Sequence, residues 1–207
     1  MFAIHASYRG RARRRAEFVR NVAAALAESP VAESVRQEGI TDISCVAIGP
    51  ENAGGVILAL LQVGDFALGL GSLSATDLEG GAEEAGTEDV EAAARRACPP
   101  SQRAGSVGVR IERADLPGTL MPGRAADIAE DIAAAFTLLS YVLSRRTEEG
   151  RQATALLRAG LSQSEAAREA GISKQAMSQR LAAAGWHAEQ AGWSLAIRML
   201  ARADEVR

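Results

Sequence analysis

The segment that begins at Ser173 carries polar side chains with the chemistry needed to read base pairs. Glutamine can pair with both hydrogen-bonding atoms on the major-groove edge of adenine, lysine can reach guanine or a phosphate, and serine can contact either. No acidic residue lies between Ser173 and Ala184. A surface of this kind can approach a phosphate backbone without electrostatic repulsion.

The residues around this segment have the spacing of two short helices joined by a turn. Ser162 and Glu165 form a capping box, which marks the start of the first helix. Gly171 stands after that helix, where a left-handed turn residue is required. Met177 and Leu181 form the buried face of the second helix and leave the polar side chains outside. This order of elements predicts a helix-turn-helix, with a recognition helix over about residues 173–184.

The predicted DNA contacts come from both helices. Arg168 and Arg180, with Arg158 on the preceding helix, are expected to hold phosphates. An alanine-rich helical bundle with polar caps is the alternative interpretation of the same residues. The full set of predicted DNA-binding residues is Ser162, Gln163, Arg168, Ser173, Lys174, Gln175, Ser178, Gln179 and Arg180.

Residues 162–181 resemble the helix-turn-helix of bacterial transcriptional regulators, and the whole chain resembles a group of actinobacterial proteins similar to the SatD family. The matching stretches are Tyr8–Arg11, Gly49–Gly54, Gly69–Gly71, Arg145–Gly150 and Ala184–Trp186. The resemblance implies an N-terminal domain like the palm of nucleotidyl cyclases, followed by a C-terminal helix-turn-helix.

The resemblance does not extend to a metal site. In palm domains two carboxylates on adjacent strands hold Mg²⁺ against a triphosphate. Here Ser7 stands where the first strand should end in an acid, and Pro50 precedes Glu51 at the expected hairpin. Glu51 alone cannot hold the ion, so the resemblance implies a degenerate palm that binds or dimerises. We therefore predict no catalytic residue, no metal, no cofactor and no enzymatic activity.

The period of the apolar residues predicts an α+β protein. Residues 1–122 form a small α/β sandwich, with about four strands (2–8, 43–48, 66–70 and 106–112) and helices over 11–28, 56–62 and 87–97. Residues 123–149 form a long linker helix whose apolar stripe could pack on a second copy. Residues 150–207 form the all-α helix-turn-helix domain, which ends in a helix over 186–206.

Charge and composition restrict where DNA can bind and exclude several kinds of site. The 207 residues carry a net charge of −3, but residues 145–207 hold ten basic and seven acidic side chains, so DNA affinity must be local. Cys45 and Cys98 lie far apart without histidine partners, which excludes a zinc or redox-pair motif. The longest apolar stretch, 53–61, is far shorter than the ~20 residues that span a bilayer. We predict a cytoplasmic protein with no membrane insertion.

Two charged segments also fit a second function, which is given below as the alternative. Residues 77–91 contain seven acids and no base, and six arginines cluster near the N-terminus: Arg9, Arg11, Arg13, Arg14, Arg15 and Arg20. The cluster fits a solvated face that pairs with the acidic segment, a second anion or DNA contact, or a protein interface. The main prediction is a transcriptional regulator that binds double-stranded DNA as a homodimer. The alternative is an adaptor whose N-terminal domain binds another protein, with DNA binding secondary.

Overall fold

All five strands, together with three helices, lie before residue 114, and every element from Arg124 onward is a helix. The structure is a computed structural model and describes residues 1–74 and 86–205. The first part comprises β1 (Phe2–Tyr8), α1 (Arg15–Ala27), β2 (Ser34–Glu38), β3 (Asp42–Ala47), α2 (Pro50–Val63), β4 (Phe66–Ser74), α3 (Thr87–Arg96) and β5 (Val107–Arg113). The second comprises α4 (Arg124–Ser144), α5 (Glu148–Arg158), α6 (Gln163–Glu169), α7 (Lys174–Ala183) and α8 (Trp186–Glu205). The protein is therefore α+β, as predicted.

The strands form one mixed sheet in the order β2-β3-β1-β4-β5. Strand β1 is antiparallel to both β3 and β4, and β5 adds to β4 in parallel. The first six elements follow the β-α-β-β-α-β order of a split βαβ unit. The sheet thus has five strands where the sequence predicted about four, because Ser34–Glu38 was not recognised as a strand.

One face of the sheet carries the main core. The side chains of Phe2, Ile4, Ala6 and Tyr8 alternate along β1 and are all buried on this side. Helices α1, α2 and α4 cover it, and α8 packs against α2 and α4. The predicted apolar stripe of α4 packs in the main core of its own chain and not on a second copy. The stripe comprises Ile128, Ile132, Phe136, Leu139 and Leu143.

Helix α3 covers the opposite face at very short distance. A Cβ atom built on Gly69 would lie 2.1 Å from the Ala94 carbonyl oxygen, so only glycine permits this approach. Beside α3 the face is polar, and His5 Nδ1 lies 3.2 Å from the Ser44 hydroxyl. Burial lowers the pKa of His5, which favours the neutral imidazole.

The hairpin expected around Pro50 and Glu51 lies elsewhere. Pro50 begins α2 after Gly49, whose φ of +83° turns the chain out of β3, and Glu51 is exposed in the first turn of that helix. The hairpin of this sheet joins β2 to β3 through residues 39–41. Asp42 opens β3 next to the end of β1 and accepts a hydrogen bond of 2.6 Å from the Ser7 hydroxyl.

Candidate nucleic-acid interface

Helices α5, α6 and α7 form a small core of their own. Its buried side chains are mostly small, which lets the three helices pack closely. They are Ala153, Ala166, Ala167, Met177 and Leu181. Ile172 lies partly buried against this core at the turn between α6 and α7. The inward positions are those that the sequence predicted for a helix-turn-helix.

The capping box at the start of α6 is present as predicted. The Ser162 hydroxyl accepts a hydrogen bond from the Glu165 amide at 3.3 Å, and the Glu165 carboxylate accepts from the Ser162 amide at 2.8 Å. The hydrogen bonds from the Ser162 side chain and backbone lower the pKa of Glu165. Gly171 takes a φ of +65° after α6, the left-handed conformation that the turn requires.

Helix α7 presents a ridge of exposed polar side chains, called here the α7 ridge: Ser173, Lys174, Gln175, Ser178 and Gln179. Ser173 caps the helix by accepting a hydrogen bond from the Ala176 amide at 3.1 Å. Met177 and Leu181 are buried on the other side. Because α7 contains no acidic residue, its positive N-terminal end and its lysine meet no local opposing charge.

The other predicted DNA-binding residues differ in how far they are exposed to solvent. Ser162 and Arg168 are exposed, and Arg180 is half-buried on α7. Gln163 is also half-buried, and its amide nitrogen donates to the Lys174 carbonyl at 3.3 Å. Gln163 therefore links the start of α6 to the start of α7.

Arg158 is engaged in an ion pair within its own chain, although its side chain stays 27% exposed. Its guanidinium donates to both oxygens of Glu189, at 2.6 and 2.8 Å, and lies over the Trp186 ring. Arg146 binds the same carboxylate, and its Nε donates to the Ala184 carbonyl at 2.7 Å. Sequence reasoning missed Arg146 and Glu189, since no spacing pattern links residues that are 43 positions apart.

The N-terminal arginine cluster is mostly exposed. Its exposed members are Arg11, Arg13, Arg14, Arg15 and Arg20. Arg9 turns inward instead, and donates to the Gln102 carbonyl at 3.0 Å and to the Ser7 hydroxyl at 2.8 Å. Most of the acidic segment 77–91 lies outside the described residues. Within the described part, Glu91 is buried in an ion pair with Arg36.

The described residues contain no group of three or more His, Cys, Asp or Glu side chains that could hold a metal ion. Cys45 and Cys98 are both buried, and burial raises the pKa of Cys45 to about 12. No helix in the described ranges is long and apolar enough to cross a membrane. Comparison of the chain with protein-family models, curated proteins and solved structures finds no match.

Proposed function

We propose that this protein is a sequence-specific DNA-binding transcriptional regulator. The observation that carries the proposal is the α7 ridge: a capped helix that buries Met177 and Leu181 and turns neutral polar and basic side chains, but no acidic one, to solvent. Glutamine, lysine and serine side chains are suited to base edges in the major groove, where a helix of this width fits.

In this proposal α7 lies in the major groove and α6 crosses the phosphate backbone. Arg168 and Arg180 contact phosphates and fix the register, whereas Lys174 and Gln175 read bases. A single helix-turn-helix buries little DNA surface, so two copies bind a palindromic site. The N-terminal part with the sheet, residues 1–122 and called here the sheet domain, serves for pairing or sensing and performs no catalysis. The protein acts in the cytoplasm.

The experiment that tests the proposal is selection of bound sequences from a pool of random duplexes with the intact protein. The expected result is an enriched sequence with two-fold symmetry. The same selection with Lys174→Ala/Gln175→Ala should lose the enriched bases. The control is Gln152→Ala, an exposed glutamine on α5, which should select the wild-type sequence. Enrichment that is absent, or the same in both variants, contradicts the proposal.

The exposed arginines at the N-terminus favour a second candidate function, that of an adaptor that binds an acidic protein. The observation is that Arg11, Arg13 and Arg15 project from a segment with few nearby acids, among them Glu17, which pairs with Arg14 at 3.5 Å. If this function is the main one, full-length Arg11→Glu/Arg13→Glu loses a protein partner that the α7 variants retain. Affinity capture with the two variants in parallel separates the two functions.

A further inference from the structure

The outward face of α4 carries the two most exposed large apolar side chains of the described chain. Leu138 is 63% exposed and Tyr141 is 60% exposed. Both lie on the side of α4 opposite the stripe that packs in the main core. An open groove of about 510 Å³ runs beside Tyr141, between α4 and the end of α2, and includes Val63, which is 40% exposed. The groove itself is lined by polar as well as apolar residues, so the exposed apolar surface is centred on α4.

Charge is distributed along this face with opposite signs at its two ends. Asp127 lies in the first turn of α4 and Arg145 directly follows the last, and both are exposed. They are 18 residues apart, or about five turns at ~3.6 residues each, so they lie on one line along the helix. Ala134 and Leu138 lie within about 20° of the same line. The face thus runs from acidic through small and apolar to basic.

This order makes the face complementary to itself in the antiparallel direction. A two-fold axis level with Phe136 brings Asp127 opposite Arg145 of the second copy, because both lie nine residues from the axis. The same axis brings the small Ala134 opposite the large Leu138, so that one side chain fills the space beside the other. Two ion pairs and two such apolar contacts form by symmetry.

Tyr141 fits the same arrangement. Its hydroxyl accepts a hydrogen bond from Arg145 Nη1 at 3.1 Å in its own chain, so its proton remains available to donate. In the antiparallel arrangement the residue opposite Tyr141 is Asp131, which is exposed and lies 3.8 Å from Arg202. A carboxylate is the acceptor that a phenol hydroxyl requires.

We propose that two copies of this chain pair through the outward faces of α4, antiparallel, with Asp127 of each copy against Arg145 of the other. The contact involves mainly one helix from each copy, which places it among small interfaces and gives a concentration-dependent dimer with a dissociation constant of micromolar order. The pairing does not require DNA, so its test is independent of the proposed function.

The test is sedimentation velocity of the full chain over a concentration series from about 1 µM to about 1 mM. Asp127→Arg and Arg145→Asp each place like charges opposite each other twice, and each is expected to raise the dissociation constant about tenfold. The double variant exchanges the charges and is expected to restore dimerisation. Arg20→Asp, an exposed charge change on α1, is the control and should leave the dissociation constant unchanged.

Three outcomes overturn the proposal: a monomer across the whole series, a dimer that neither single variant weakens, or a double variant that dimerises no better than the single ones. Loss of helix stability cannot imitate the expected result. A double variant that carries both changes would then be the least stable of the three, and dimerisation would not return.

Discussion

Arg146, just after the C-terminal end of α4, forms a buried ion pair with Glu189 in the first turn of α8. Their side chains are 2% and 1% exposed. Glu189 also accepts from Arg158 on α5, and Arg146 also donates to the carbonyl of Ala184 at the end of α7. The Glu189 carboxylate therefore joins α8 to α5 and to the segment after α4, and Arg146 extends this buried joint to the end of α7.

Glu189→Gln is expected to destabilise the protein by about 3–5 kcal/mol, because it leaves the buried charge of Arg146 without an opposite charge. Denaturant unfolding monitored by circular dichroism measures the change. The control is Glu148→Gln, which removes an exposed pair with Arg151 at 3.4 Å and should cost no more than about 0.5 kcal/mol. Equal effects from the two variants would show that the buried joint does not stabilise the fold.

Variants of the α7 ridge and of α6 should change DNA binding in different ways. Lys174→Ala and Gln175→Ala are each expected to reduce discrimination between the selected sequence and a single-base variant by about 1–3 kcal/mol. Arg168→Ala should weaken binding to all sequences alike and reduce the slope of log affinity against log salt by about 1. Gel-shift titrations at several salt concentrations measure both quantities. Unchanged affinity in all three variants contradicts the assignment of α6 and α7.

Stability should fall at acid pH through Glu112, whose side chain is fully buried. Burial raises the pKa of Glu112, but hydrogen bonds from Arg96, Arg110 and the Gly118 amide outweigh burial and lower the pKa from 4.5 to about 2. A carboxylate with a lowered pKa stabilises the fold above the unfolded value. This contribution, about 3 kcal/mol, is lost as the pH falls from about 4.5 to about 2.

Comparison with Glu112→Gln isolates this contribution from that of the other carboxylates. The difference in unfolding free energy between the wild type and Glu112→Gln should shrink by about 3 kcal/mol between pH 6 and pH 2. Urea titrations at four or so pH values measure it. A difference that stays constant across this range means that Glu112 does not titrate with a lowered pKa in the folded protein.

Gly69→Ala is expected to lower the free energy of unfolding strongly, because the new Cβ would lie 2.1 Å from the backbone oxygen of Ala94. Helix α3 would have to move off the sheet, at a cost of about 3 kcal/mol or more. Gly86→Ala is the control, since the nearest atom to its Cβ would be 3.8 Å away, and it should cost less than about 1 kcal/mol. Thermal unfolding compares the two, and similar melting temperatures would contradict the close packing.

The helices of the candidate interface could be predicted because their signals are local. The capping box at Ser162 and the left-handed turn at Gly171 act on backbone groups within four residues, so the sequence pattern contains the whole interaction. The long helix α4 was equally predictable from its apolar period. What that stripe packs against was not, since the same period serves a core or a second copy.

The parts that escaped prediction depend on distant partners. Strand β2 has the sequence Ser-Val-Arg-Gln-Glu, which lacks an apolar run because it is an edge strand with no fully buried residue. The ion pair between Arg158 and Glu189 was not foreseen, because the two residues are 31 positions apart. The hairpin was assigned to Pro50 by resemblance, whereas the register of the sheet puts it between β2 and β3.

Helix α8 packs against both α2 and α4, and a Cβ on Gly54 of α2 would lie 2.5 Å from Ile197. Ala196, Leu200 and Ala203 of α8 are fully buried beneath the sheet domain. A ribosome adds these residues more than a hundred positions after it has made α2, one of the two helices that they cover. The nascent N-terminal domain therefore leaves the exit tunnel with the outer side of α2 uncovered, and its packing is completed only after the helix-turn-helix has also been synthesised.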